Sequence, residues 1–138
     1  MIRSRTTCFA CSIGSRSEPA ARHARFRLVG QRQAAEGVVA RIRKATDVYV
    51  SAATAWEISI KSALGKIAVR GDLGEALADY GFLELPISIA HAEAVRALPA
   101  IHRDPFDRIL VAQAVVEDLV IVSNDETLER YPVRVAWD

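Results

Sequence analysis

Disulfides, membrane spans and net charge are all scarce in this chain. Two cysteines among 138 residues are too few for a disulfide scaffold. No apolar run approaches the ~18 residues that a membrane helix needs, so no membrane partner is expected and a cytoplasmic location is. Residues 35–138 contain no internal repeat and no low-complexity tract. Net charge is only +1, but this total hides a split. Residues 1–34 hold a single acid, Glu18, against seven arginines, a net +6, and residues 35–138 carry −5. The first Asp of the chain is Asp47.

Such asymmetry marks a basic arm or a segment foreign to the domain. Residues 1–34 are rich in Arg and Ser and poor in acids, which also fits an organelle transit peptide. They lack the apolar stretch of a secretory signal. Three readings stay open for this atypical segment: a flexible basic arm, a transit peptide, or translation from a start or frame that is not the domain's own. Thr6 to Ile13 is its only part with strand-like content. Cys8-Phe9-Ala10-Cys11 is a C-x-x-C, but zinc would need a second ligand pair. A redox site would need a strand before it and a helix after it. Two ordinary reduced thiols are the simpler reading.

What is present is a core-forming composition. Hydrophobic residues make up 51% of the chain. A folded chain of this length buries about 68% of the surface that its unfolded form exposes. One domain is expected, over 35–138.

From Glu36 to Ala45, Val38, Val39 and Ile42 share one helical face. Asp47 to Ser51 reads as a strand. Ala53, Trp56, Ile60, Ala63 and Leu64 recur at threes and fours, which predicts a helix stopped near Gly65. A weaker helix is expected over Gly71 to Tyr80. Phe82 to Leu85 reads as a strand ended by Pro86, and Ser88 to Leu98 as a helix with Ile89, Ala92, Val95, Ala97 and Leu98 inward. A helix from Asp104 to about Glu117 should bury Phe106, Ile109, Leu110 and Ala114. Leu119 to Val122 is a near-continuous apolar run, as in a strand covered on both faces of a parallel sheet. A helical turn over Glu126 to Arg130 and a strand near Val133 to Ala136 complete an α/β pattern with a parallel sheet.

Ligand sites in open parallel sheets form beyond the carboxyl ends of the strands. Glu57 lies six residues after Ser51, Asp107 in the first turn of a long helix, and Asp125 just past the apolar strand. A cluster of these carboxylates, with no His or Cys nearby, would be an all-oxygen site suited to Mg²⁺ or Mn²⁺. Each acid also has a plain structural use. Glu57 and Lys61 form an i,i+4 pair worth ~0.2–0.5 kcal/mol. Asp104 before Pro105 looks like an N-cap, which puts Asp107 at N3. Ser123-x-x-Glu126 has the capping-box pattern. Capping explains each acid singly, but not why three should gather at one edge.

Three segments resemble one known family. Val50-Ser51-Ala52-Ala53-Thr54-Ala55-Trp56-Glu57-Ile58-Ser59-Ile60-Lys61, followed by Leu64-Gly65-Lys66, resembles the second-acid segment of PIN-domain ribonucleases of the VapC toxin type. His102-Arg103-Asp104-Pro105-Phe106-Asp107-Arg108-Ile109-Leu110-Val111-Ala112-Gln113-Ala114 resembles the third, and Val122-Ser123-Asn124-Asp125 the fourth. Their order and spacing also fit. The resemblance covers about 35–138 and implies a PIN fold, a three-layer α/β/α sandwich around a parallel sheet. It implies a divalent-metal-dependent endoribonuclease toxin, with Mg²⁺ or Mn²⁺ as cofactor and RNA as substrate. A cognate antitoxin is the implied partner, and a homodimer is a further association to expect. Carried over, Glu57, Asp107 and Asp125 are the catalytic and metal-binding acids. Asp104, Ser123 and Asn124 assist, and Lys61, Arg103 and Arg108 are candidates for RNA phosphates.

One part of the family pattern is missing. Family members open with an apolar strand ending in Asp, and nothing before Asp47 supplies that acid. A weakened nuclease is therefore expected. The alternatives are an inactive module that binds antitoxin or RNA, and a truncated product that folds poorly.

Overall fold

The computed structural model describes residues 9–12 and 36–137. Five strands form one sheet: β1 (Phe9–Ser12), β2 (Asp47–Ser51), β3 (Leu83–Leu85), β4 (Val120–Val122) and β5 (Arg134–Ala136). Their order across the sheet is β3-β2-β1-β4-β5. Among the described residues five α-helices accompany them: α1 (Glu36–Lys44), α2 (Ala52–Ala63), α3 (Leu73–Asp79), α4 (Ile89–Ala94) and α5 (Pro105–Glu117). Short 3₁₀ turns lie at Val95–Ala97 and Glu126–Arg130. None of the described helices is long and apolar enough to cross a membrane.

The sheet alternates its side chains between two cores, as strand geometry requires. Val48, Val50 and Val122 join Val38 of α1 on one face, with Leu77, Phe82 and Trp137 at the margin. Leu85 and Ile121 join Leu110, Val111 and Ala114 of α5 on the other, together with Leu128 and Tyr131. Tyr49 turns to this second face, between two valines that turn to the first. Helices thus cover both sides, giving the three-layer α/β architecture.

Strand direction departs from the sequence expectation in one place. β2 pairs in parallel with β3, and β4 with β5. Central β1 runs antiparallel to both β2 and β4. The four other strands therefore share one direction, and the sheet is mixed. Antiparallel pairing is slightly the more stable per residue. β1 lies within the Thr6 to Ile13 stretch. The remaining readings of residues 1–34, including Cys8 of the C-x-x-C, fall outside the described residues.

Local chemistry sets the helix ends. Ser51 caps α2, its Oγ accepting from Ala53 N at 3.0 Å and donating to Gln113 Oε1 at 2.5 Å. Gln113, fully buried, donates in turn to the carbonyls of Leu85 and Pro86 at 3.4 and 3.2 Å. One buried amide thereby ties α5 to the ends of β2 and β3. Gly65 stops the α2 region with φ +69°. Its N–H reaches Ser62 O while Lys66 N reaches Lys61 O, the paired bonds of a Schellman end.

Two helical faces differ from those expected. In α4, Ile89 is 79% exposed and His91 only 2%. The cause is a capping box: Ser88 N donates to His91 Nδ1 at 3.0 Å, and His91 N to Ser88 Oγ at 3.3 Å. His91 Nε2 meets Glu117 Oε1 at 2.8 Å, which turns the ring toward α5. In α2 the stripe of Trp56, Ile60 and Leu64 is exposed, at 61%, 38% and 63%. The periodicity that marks this helix does not mark its buried side.

Candidate metal centre

The carboxyl ends of β2, β3, β4 and β5 lie on one edge of the sheet, because these strands run the same way. Two of the three predicted acids meet there. Asp107 enters from the first turn of α5, positioned by the cap before it. Asp104 Oδ1 accepts from Phe106 N at 2.9 Å, with Pro105 at the first helical position, as the sequence suggests. Asp107 is 9% exposed. Asp125 stands three residues past β4. Its N–H donates to Ser123 Oγ at 3.1 Å, and its Oδ1 accepts from Thr127 N at 3.0 Å and from Thr127 Oγ1 at 2.6 Å. Asp125, not Ser123, therefore caps the 3₁₀ turn. The expected Ser123–Glu126 box does not form, because Ser123 Oγ already serves Asp125.

Between the two acids lies a residue to which the sequence reading gave no role. His102 has a side chain 9% exposed, with Nδ1 at 3.4 Å from Asp107 Oδ2 and Nε2 at 3.3 Å from Asp125 Oδ2. Ligand atoms of His102, Asp107 and Asp125 all fall within 4.8 Å of one another. The expectation of an all-oxygen site with no histidine nearby is thus corrected: an imidazole is at its centre. A usable signal was present, since His102 opens the same six-residue stretch that closes on Asp107.

The loop that presents His102 is held firmly. Its backbone N–H donates to Tyr131 Oη at 2.8 Å. Its ring stacks on Tyr131 with centroids 6.2 Å apart and planes 7° from parallel. The Arg108 guanidinium donates to four carbonyls along the same loop: Pro99 at 2.9 Å, Val95 at 3.0 Å, and Leu98 and His102 at 3.4 Å each. Arg108 faces its own chain.

Glu57 lies outside the three-residue group. Its carboxylate pairs with Lys61 Nζ at 2.7 Å along α2. The neighbouring Trp56 sets its ring edge-on to Phe106 with centroids 5.0 Å apart, which brings α2 beside the start of α5. Arg103 and Asn124 are exposed at the rim.

Reversal of β1 bears directly on this edge. Phe9 pairs with Val122 and Ser12 with Asp47, so β1 delivers its carboxyl end to the opposite side of the sheet. A strand so directed cannot bring a terminal acid to His102, Asp107 and Asp125.

Two carboxylates and an imidazole suit a divalent cation. Oxygen ligands serve hard ions, and an imidazole extends the set toward first-row transition metals.

No curated protein and no solved structure matches the chain. Among protein families, residues 22–133 match the PIN domain. The match begins thirteen residues before Ala35 and leaves β1 upstream of it. With most of its length matched, and with acids gathered at the carboxyl edge of an α/β sandwich, the chain belongs to the PIN domain family, whose members are metal-dependent nucleases.

Proposed function

We propose that the chain is a divalent-metal-dependent endoribonuclease, the toxin of a VapC-type toxin–antitoxin pair. The main support is the convergence of Asp107 and Asp125 on His102, all within 4.8 Å. A bound Mg²⁺ or Mn²⁺ supplies polarisation of the scissile phosphate and a water of lowered pKa. Asp107 and Asp125 hold that ion. Ser123 fixes Asp125 through its backbone N–H. Asp104 fixes the helix start that carries Asp107. Glu57 is the further acid that family resemblance assigns, and it stands on the adjoining helix. Lys61 and Arg103 meet RNA phosphates near the edge, and Asn124 adds a polar contact.

The exposed stripe of Trp56, Ile60 and Leu64 supports the antitoxin as partner, because exposed apolar faces of this kind mark interaction sites. A second copy of the chain is the competing occupant. The cytoplasm is the compartment where such a pair acts.

One observation favours the inactive-module reading: β1 directs no acid to the site. The deciding experiment incubates the purified full chain with labelled RNA and Mn²⁺ or Mg²⁺, with and without chelator. Slow cleavage that stops with chelator and in Asp107→Asn is expected. Retained RNA binding without turnover would establish the inactive module. Cleavage indifferent to both chelator and Asp107→Asn would overturn the nuclease reading.

A further inference from the structure

The protons around His102 can be assigned from its neighbours. Thr127 has one hydroxyl proton, and it goes to Asp125 Oδ1 at 2.6 Å. Thr127 Oγ1 also touches His102 Nε2. With its proton already placed, that oxygen acts here as an acceptor, so Nε2 carries a hydrogen. In the neutral form of that tautomer Nδ1 is the nitrogen with a lone pair. That lone pair faces Asp107 Oδ2 at 3.4 Å, with the ring held by Tyr131 and the loop by Arg108. Nδ1 and Oδ2 are thereby held near each other, on side chains 9% and 12% exposed. Their separation suits two donors sharing one ion at about 2.0–2.2 Å each.

We propose that His102 is itself a metal ligand: Nδ1, together with the carboxylates of Asp107 and Asp125, holds the cation and biases the site from Mg²⁺ toward Mn²⁺ and heavier first-row ions. This rests on the metal-dependent reading above and refines its ligand set. Nε2–H, anchored at Thr127, is the outer contact that fixes the tautomer of a ligating histidine. Such a site takes up by an imidazole part of what the missing first acid leaves undone. A nitrogen donor contributes little to Mg²⁺, which prefers oxygen and keeps its waters, and more to Mn²⁺, Co²⁺ and Zn²⁺.

The test uses the full chain and binding readouts alone. Calorimetric titration compares Mg²⁺ and Mn²⁺ on the native chain and on His102→Gln, whose amide retains a donor near the Nε2 position but offers nothing at Nδ1. Electron spin-echo spectroscopy on the Mn²⁺-loaded native chain looks for coupling to an imidazole nitrogen. Mn²⁺ should bind the native chain at least ~10-fold more tightly than Mg²⁺, and His102→Gln should lose most of that margin. Nitrogen coupling should be present, a result that does not depend on any variant folding. Mn²⁺ binding without nitrogen coupling would overturn the His102 assignment and leave the carboxylate metal site standing. No binding of either ion, with no change in Asp107→Asn, would overturn both.

Discussion

Arg108 offers a sharp test, because two jobs compete for it. Read from the sequence, it is a cation for RNA phosphate. In the structure, its guanidinium donates to four backbone carbonyls of the 95–102 loop, two of them at 2.9 and 3.0 Å and two at 3.4 Å. Arg108→Met keeps the length and apolar stem while removing every donor. Hydrogen bonds from a charged donor contribute about 1.5–3 kcal/mol each, and the two at the distance limit add less. Water can reach part of this half-buried site, so the expected loss is about 2–4 kcal/mol. At about 3–4 °C per kcal/mol for a domain of this size, the melting midpoint should fall by about 6–16 °C. Urea unfolding at constant m-value checks the free energy. Because the loop carries His102, Mn²⁺ affinity should fall too. A phosphate contact behaves differently: its removal leaves stability within about 0.5 kcal/mol and lowers the salt slope of RNA binding by about 0.7 for a single strand. That second pattern would refute the loop-clamp reasoning.

Other expectations follow from buried polar pairs, the acids and β1. Ser51→Ala removes the cap of α2 and strands Gln113 Oε1, and should cost about 2–3 kcal/mol in urea unfolding. Adding Gln113→Leu to it should cost less than the sum of the two single changes, since the pair is coupled. Asp107→Asn and Asp125→Asn should each abolish chelator-sensitive RNA cleavage while circular dichroism stays native; cleavage retained in both would remove these acids from the site. Replacing residues around β1 with an apolar strand that ends in Asp and runs parallel to β2 and β4 should raise the melting midpoint, and by more with Mn²⁺ present, through linkage to binding. Equal midpoints and equal metal response would mean that the present strand already does the job.

The elements of residues 36–137 were legible because their signals are local. Asp104-Pro105 announced the start of α5, Gly65 the end of α2, and the apolar 119–122 run the buried strand. Pairing direction is not local: Phe9–Ser12 carries no mark of which way it will run. The inward face of α4 was misread for a related reason. Ile89 has the greater apolar pull, but the Ser88–His91 box and Glu117 turn His91 inward. Type and spacing picked out Asp107 and Asp125, which the fold brings together, and also Glu57, which lies outside their group. His102 escaped because its role depends on Thr127 and Tyr131, 25 and 29 positions away. The bonds of Arg108 to the 95–102 loop were not legible because carbonyls leave no trace in a sequence.

Placing the earliest described strand at the centre of the sheet has a consequence for biosynthesis. Ala10 pairs with Tyr49 on one side and with Ile121, 111 positions onward, on the other. As the chain emerges from the ribosome, β1 can join β2 and β3 well before its second neighbour exists. The thirty-five positions from Leu85 to Val120 take about 2–7 s at about 5–20 residues per second. For those seconds β1 presents an unpaired edge, and such an edge accepts any strand that reaches it. On a crowded polysome the nearest supply would be the β4 of a neighbouring nascent chain, so the pairing that completes this sheet would also be the one to entangle two copies.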